Sequence, residues 1–231
     1  MALAQQLLLN ANELVAFAKQ QEGKAVGSIR LGCIPTIAPF LLTDLVRLCQ
    51  QQLPDLQLYL REDTTENLML QLEQGEIDCV ILAFPIPRHN FAAHVLGKDR
   101  FYIAGNKCLI DNFKQTLTYH CLPEKSIFLL NKEHCLTEHA VSACQLADAS
   151  RINSFSASSL STLVQMTTFH RGVTFLPKMA VDKGVGKDEG LAIEEIADDV
   201  YREIGMIWRK TSIRAQTFQL LGNLVASLLK K

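Results

Sequence analysis

The sequence has almost no net charge, and its overall composition is not that of a membrane, disordered or nucleic-acid-binding protein. Its 231 residues carry 23 Lys and Arg against 24 Asp and Glu, which leaves a formal net charge of −1. A charge so close to neutral gives this part of the chain no electrostatic reason to bind DNA or an acidic membrane by itself. The hydrophobic fraction of 48% and the charged fraction of 20% are ordinary for an α/β protein.

Segments that would direct the chain to a membrane or to secretion are also missing. No apolar run approaches the length of a membrane span. Residues 1–17 are interrupted by polar side chains and follow no basic stretch, unlike a signal peptide. The seven cysteines are an odd number in a chain of this size, which argues against a secreted disulfide framework. We therefore expect a cytoplasmic protein.

Strand-like and helix-like segments alternate through the chain. Strands are predicted over 28–34, 56–60 and 77–83, with helices over 40–52 and 65–74 between them, which makes a βαβαβ unit. A second set comprises strands at 100–104, 126–130, 151–155, 173–176 and 203–208, helices at 159–169 and 213–229, and a loop at 183–190. The pattern predicts an α/β fold of two Rossmann-like lobes with a cleft between them, preceded by an amphipathic helix over 2–21.

Hydroxyl residues follow several predicted strands. Ligands of open α/β sheets bind outside the carboxyl ends of the strands. Those positions hold Thr36, Thr65 and the pair Ser158–Ser159, each just before a helix. Hydroxyls at helix starts suit a small polar or anionic ligand, but N-capping is their commoner role.

The most informative segment is a pair of cysteines nine positions apart, Cys135 and Cys144, the first of them next to His134. A reducing cytosol leaves such a pair little use as a structural staple. A thiol whose pKa is lowered by a neighbouring cation reacts with an oxidant, and a second thiol traps the product. The pair therefore favours redox sensing, and the alternative is packing as two small apolar residues.

The other cysteines and a metal site are predicted to play no part. His134, Cys135, His139 and Cys144 do not have the spacing of a usual zinc site, so no metal is expected. Cys33, Cys49 and Cys79 lie in apolar segments and are predicted to be core residues. Cys108 and Cys121 lie in loop-like stretches, and Met166 and Phe169 are predicted to be core.

Three motifs resemble the effector domain of LysR-type transcription regulators. They are Val-Gly-Ser-Ile-Arg-Leu-Gly at 26–32 with Ile-Pro-Thr at 34–36, Leu-Glu-Gln-Gly-Glu-Ile-Asp at 72–78, and Gly-Val-Thr-Phe-Leu-Pro at 172–177. Segments 34–39 and 78–83, with the cysteine pair after His134, resemble the peroxide sensors of that family, the OxyR-like group. The resemblance covers essentially the whole chain.

The resemblance implies a domain organisation and partners. Subdomain I would comprise 23–97 and 202–231, and subdomain II would comprise 98–201 with a redox segment at 134–144. Residues 1–22 would be the remnant of a linker helix that follows a DNA-binding helix-turn-helix, which this chain lacks. The signal would be hydrogen peroxide, with no cofactor and no membrane. The full-length protein, a regulator and not an enzyme, would form dimers or tetramers and contact DNA and RNA polymerase.

The resemblance also assigns residues. Cys135 corresponds to the peroxide-reactive cysteine and Cys144 to the resolving cysteine. The surroundings of the thiolate and the peroxide would be His134, Thr36, Thr65 and Arg209.

The sequence departs from the sensors near the reactive cysteine. Lys132–Glu133 replaces their usual Asp-Gly, Thr137 replaces a basic residue, and Ser154 replaces a histidine. Loss of positive charge and the addition of Glu133 and Glu138 should raise the thiol pKa and slow its reaction.

Three alternatives to peroxide sensing remain open at this point. A LysR-type domain could sense a small organic effector in the cleft, with the cysteines incidental. A thiol peroxidase would need a recycling motif, which the sequence does not supply. A periplasmic solute-binding protein shares the two-lobed fold, but the missing signal peptide counts against it.

Overall fold

The structure of the protein is a computed structural model that describes residues 26–87, 90–116, 122–143, 149–196 and 200–230. The chain divides into two compact units. The first holds the described residues up to Gly97 and those from Glu203 onward, and the second holds Lys98–Arg202. The helix predicted over 2–21 lies outside the described residues.

The order of elements confirms the predicted α/β alternation. The strands are β1 (Gly27–Cys33), β2 (Leu56–Glu62), β3 (Cys79–Phe84), β4 (Phe91–Gly105), β5 (Ile127–Leu130), β6 (Ile152–Ala157), β7 (Val173–Pro177), β8 (Ala192–Glu195) and β9 (Tyr201–Arg209). The helices are α1 (Ala38–Gln52), α2 (Thr65–Gln74), α3 (Lys107–Thr116), α4 (Cys135–Ala143), α5 (Leu160–Phe169), α6 (Lys178–Asp182) and α7 (Ala215–Leu229). None of these helices is long and apolar enough to cross a membrane.

The first unit is built on a sheet in the order β2-β1-β3-β9. β1 runs parallel to β2 and β3, and β9 runs antiparallel to β3. Every residue of β3 is buried, as expected for a strand covered on both faces. On one side α1 packs against α7, and Trp208 of β9 contacts Phe218 of α7 with ring centroids 5.7 Å apart. The predicted end of α2 is confirmed, because Gly75 caps it with a left-handed φ of 75°.

In the second unit β5 pairs in parallel with β6 and β7, and β4 pairs antiparallel with β7 and β8. Phe101, Phe128 and Phe175 fill its core. One ion pair is also buried there, between Arg202 Nη2 and Asp99 Oδ2 at 2.9 Å.

The sequence patterns missed several elements. β4 begins at Phe91, nine residues before the predicted strand, because its first part alternates buried and exposed residues and includes polar ones. α3, α6 and β8 were not predicted. Cys108 consequently lies on a helix and is exposed, so its placement in a loop was wrong.

The prediction that Phe169 is a core residue was also wrong, since its side chain is 80% exposed. The buried stripe of α5 runs through Leu160, Leu163, Val164 and Thr167. Thr167 is fully buried because its hydroxyl donates to the carbonyl oxygen of Leu163 at 2.8 Å. A core position of α5 is therefore occupied by Thr167, whereas hydrophobicity alone predicts Phe169 there.

Two glycines of β4 give a matched test of packing. A β-carbon at Gly105 would overlap the carbonyl oxygen of Gly172 and lie 2.7 Å from Cα of Val173, and this backbone is fixed by strand pairing. A β-carbon at Gly97 would make only an ordinary 3.4 Å contact with Leu229. We expect Gly105→Ala to lower the free energy of unfolding by about 3 kcal/mol and Gly97→Ala by less than about 1 kcal/mol in urea titrations. Equal effects of the two variants would contradict the close approach at Gly105.

Candidate functional site

Cys135 is the first residue of α4, which begins after a short turn that follows β5. The preceding residue, His134, is only 7% exposed, and its backbone N–H donates to the carbonyl oxygen of Asn131 at 2.9 Å. The carbonyl of His134 in turn accepts from the N–H of Thr137 at 3.1 Å. Cys135 itself is half-buried.

The start of a helix is a favourable place for a thiolate. The N–H groups of the first turn point out of the helix end and give it a partial positive charge. A cysteine at such an end ionises more readily than one in an unstructured chain. Glu133 and Glu138 are both exposed, so solvent screens their repulsion of a thiolate at Cys135. The prediction of Cys135 from the sequence rested on the cysteine spacing and His134, and not on this helix start.

Two buried side chains and one hydroxyl hold α4 in the second unit. Leu136 and Ala140 are 2% and 1% exposed. Thr137 donates its hydroxyl to the carbonyl oxygen of Leu130, the last residue of β5, at 2.8 Å. This contact gives Thr137, which stands where the sensors usually have a basic residue, a structural role.

The resolving cysteine of the prediction, Cys144, lies outside the described residues. The extent of α4 nevertheless limits how close it can come to Cys135. A rise of 1.5 Å per residue separates the Cα atoms of residues 135 and 143 by about 12 Å. One further residue can recover at most about 3.8 Å, which leaves about 8 Å, and a disulfide needs its Cα atoms within about 7 Å. The two cysteines therefore cannot bond while α4 is intact.

Thr36 and Thr65 belong to the first unit and follow adjacent parallel strands. Cys33 at the end of β1 pairs with Glu62 at the end of β2, and each threonine lies three residues beyond that pair. Thr36 is 2% exposed and Thr65 is half-buried.

The capping interpretation holds for only one of the predicted hydroxyls. Ser159 caps α5, where its hydroxyl accepts from the N–H of Thr162 at 3.2 Å. In α2 the cap is Thr64, whose hydroxyl accepts from the N–H of Asn67 at 3.5 Å, and not Thr65. The N-cap of α1 is Ile37, with no side-chain capping bond, so Thr36 is not a cap either.

Thr64 and Thr65 give a direct test of this difference. We expect Thr64→Ala to lower the free energy of unfolding by about 0.5–1 kcal/mol because it removes the N-cap of α2. Thr65→Ala should change it by less than about 0.5 kcal/mol, since Thr65 is not the cap. Thermal or urea unfolding of the two variants measures both, and a larger loss for Thr65→Ala would contradict the assignment.

Arg209, at the end of β9, is 9% exposed. Its Nη1 donates to the carbonyl oxygens of Leu72 and Ile77, each at 2.8 Å. These bonds fix the guanidinium group between the last turn of α2 and Ile77, two residues before β3. Arg209 lies in the first unit with Thr36 and Thr65, whereas His134 and Cys135 lie in the second.

The predicted core cysteines are confirmed as core residues. Cys33 and Cys79 are fully buried and Cys49 is 2% exposed. Burial raises the pKa of Cys49 to about 11 and also raises the pKa of Cys79, so neither provides a thiolate at neutral pH. Within the described ranges, no group of three or more His, Cys, Asp and Glu side chains is placed to share a metal ion.

Two compact α/β units with parallel strands and alternating helices are the architecture of a domain of the periplasmic-binding-protein type. The LysR substrate binding domain matches residues 22–229, and the chain belongs to the LysR family of transcription regulators. The resemblance read from the sequence motifs is therefore confirmed at the level of the family.

Three known proteins are similar to this chain in sequence or in structure. The HTH-type transcriptional regulator EstR of Acinetobacter baylyi is 34% identical over 95% of this chain and 73% of its own length. A protein of Escherichia coli, named DNA-binding transcriptional dual regulator OxyR in strain K12 and hydrogen peroxide-inducible genes activator in strain O6:H1, is 30% identical over 94% of this chain and 72% of its own. The reduced regulatory domain of OxyR2 from Vibrio vulnificus is 48% identical, with a TM-score of 0.84, over 89% of this chain and 97% of its own.

Proposed function

We propose that this chain is the peroxide-sensing regulatory domain of a cytoplasmic, DNA-binding transcription regulator. The observation that carries the proposal is the position of Cys135, half-buried at the start of α4 and next to a buried histidine. That position favours a thiolate, and we propose that hydrogen peroxide reaches its sulfur. The 48% identity to the regulatory domain of OxyR2 supports the same function.

The proposed chemistry has two steps. The Cys135 thiolate attacks one oxygen of hydrogen peroxide, the O–O bond breaks, and the departing hydroxide takes a proton to leave as water. The resulting sulfenic acid is then attacked by the sulfur of Cys144, which forms the disulfide and releases a second water. Two thiols and one peroxide thus give one disulfide and two waters. The roles of Thr36, Thr65, His134 and Arg209 around the thiolate and the peroxide stay predictions from the resemblance.

The second step requires a change in the fold. Because the cysteines cannot meet while α4 is intact, the disulfide must be accompanied by unwinding at least part of this helix. Unwinding exposes Leu136 and Ala140, and full exposure of a leucine side chain alone costs about 1.5–3 kcal/mol. Oxidation would thereby expose apolar side chains on the surface of the second unit. We propose that this change alters the self-association of the full-length protein and so its contacts with DNA and RNA polymerase.

The proposal is tested by intact mass and peptide mapping of the reduced protein before and after one equivalent of hydrogen peroxide. We expect a loss of about two mass units and a single linked peptide that joins Cys135 to Cys144. Cys144→Ser should stop the reaction at the sulfenic acid, which dimedone traps on Cys135. No mass change, or oxidation spread over all seven cysteines, would contradict peroxide sensing.

We keep a second candidate, a LysR-type domain that responds to a small organic effector, because EstR, which is 34% identical, has a name that mentions no peroxide. In that case the cysteines are incidental and the protein is insensitive to stoichiometric peroxide. A small organic molecule that binds the folded state would raise the unfolding temperature in a concentration-dependent manner. Such a rise together with unreactive thiols would replace the peroxide proposal with this one.

A further inference from the structure

Thr137 attaches the first turn of α4 to the sheet of the second unit. Its hydroxyl donates to the carbonyl oxygen of Leu130 at 2.8 Å, across seven positions of the chain. Leu130 is 3% exposed and pairs with Ala157 of the neighbouring strand β6. The acceptor therefore belongs to a strand whose own pairing does not depend on α4. The hydroxyl of Thr137 links the helix to that strand.

α4 is a short helix whose stability depends on contacts of this kind. Its nine residues are fewer than the roughly 12–15 that a helix needs to be stable alone in water. Leu136 and Ala140 bury its apolar side, and the second of these contributes only a methyl group. Thr137 is half-buried, so water competes only in part for its hydroxyl. Loss of such a hydrogen bond shifts a local opening equilibrium by about two- to tenfold.

Thr168 makes a hydrogen bond of the same kind that links no two elements. Its hydroxyl donates to the carbonyl oxygen of Val164 at 2.9 Å, one turn earlier in α5. This bond lies within a single helix and does not attach that helix to the sheet. A comparison of Thr137 with Thr168 therefore separates the attachment of a helix from the loss of a threonine hydroxyl in general.

We propose that the Thr137 hydroxyl is a latch that slows the second step of the peroxide reaction and leaves the first step unaffected. The inference rests on the proposed function. There the sulfur of Cys144 attacks the sulfenic acid of Cys135, the sulfur–oxygen bond breaks, and water leaves once α4 has unwound. The first step takes place while α4 is intact. Without the latch α4 opens more often, so the disulfide forms faster although the attack on peroxide is unchanged.

The two steps are separated by their dependence on peroxide concentration. At low peroxide the rate of disulfide formation rises linearly, and the slope is the rate constant of the first step. At high peroxide the rate reaches a plateau that the second step sets. Both are measured on the reduced protein by acid quenching and mass spectrometry of the linked Cys135–Cys144 peptide. Thr137→Val replaces the hydroxyl by a methyl group, and we expect the plateau to rise by about fivefold and the slope to stay within about twofold.

Two further variants and one further measurement control this result. Thr168→Val is the matched control and should change neither the slope nor the plateau. Thr137→Ser keeps the hydroxyl, so its plateau should stay within about twofold of the wild-type value. Hydrogen exchange of the reduced protein tests the latch without peroxide. The amides of α4 should exchange about fivefold faster in Thr137→Val, whereas those of the buried strand β3 should not change.

An unchanged plateau in a folded Thr137→Val protein would overturn the inference while the peroxide proposal stands. So would a plateau for Thr137→Ser as high as that for Thr137→Val, or an equal rise for Thr168→Val. A wild-type protein that forms no Cys135–Cys144 disulfide would instead refute the proposed function, and the control of its second step with it.

Discussion

Replacing Cys135 with serine is expected to lower the rate of disulfide formation with hydrogen peroxide by at least about 100-fold. The reason is that the thiolate is the reacting species, and the buried cysteines do not supply one. At pH 7, a thiol whose pKa is about 11, like that of Cys49, is ionised in about one molecule in 10,000. The rate is measured by following free thiols after mixing with a small excess of peroxide.

The matched control is Cys108→Ser. Cys108 is exposed at the second residue of α3, so its replacement removes an accessible thiol without disturbing the core. We expect this variant to react at the wild-type rate. If Cys108→Ser abolished the reaction and Cys135→Ser preserved it, the sensing residue would have been misassigned.

The largest expected effect on stability comes from the buried ion pair of the second unit. Arg202 is fully buried, and Asp99 is 3% exposed. Nε of Arg202 donates to Oδ2 of Asp99 at 3.0 Å, and Oδ1 accepts from the backbone N–H of Met179 at 3.1 Å. Arg202→Met would leave the carboxylate buried without its cation, and we expect this to lower the free energy of unfolding by about 3–5 kcal/mol at pH 7.

Two controls separate the lost pair from lost packing. Asp99→Asn with Arg202→Met removes both charges and keeps an acceptor for Met179, so the double variant should be more stable than Arg202→Met alone. Arg100→Met breaks an ion pair with Glu195 in which both side chains are 44% exposed, and should cost less than about 1 kcal/mol. Urea unfolding of the three variants gives the comparison. A smaller loss of unfolding free energy for Arg202→Met than for Arg100→Met would contradict the stabilising role of the buried ion pair.

The effect of pH on Arg202→Met has a defined sign. Burial raises the pKa of Asp99 in the folded protein, and Arg202 opposes this shift. Without Arg202 the folded-state pKa rises further above its unfolded value, so folding favours the protonated acid. The defect of Arg202→Met should therefore be largest above the new folded-state pKa and shrink as the pH falls below it towards the unfolded value. A defect that grows at lower pH would contradict the assignment.

Local patterns predicted the elements whose signals are themselves local. Apolar runs and a glycine stop were enough for β3 and for α2 with its end at Gly75. The start of β4 was missed because it is half exposed and contains Asp99, whose burial depends on an arginine 103 residues later in the chain. No window of sequence shows that dependence.

For the candidate site, the sequence predicted the identity of some residues but not their structural setting. The spacing of two cysteines identified Cys135, but not that it begins a helix anchored by Thr137 to the end of β5. Hydroxyls were expected at the strand ends, yet the choice of Thr64 over Thr65 as the cap depends on the extended backbone of Thr64.

The most direct test of the central claim, that α4 is the moving part of a redox switch, is hydrogen exchange of residues 135–143 in the reduced and oxidised protein. The reduced helix should protect its amides, and oxidation should remove that protection in the wild-type protein but not in Cys144→Ser. The core strand β3 should exchange equally slowly in both states and serves as the internal reference. Unchanged protection of α4 in a sample that contains the Cys135–Cys144 disulfide would contradict the account.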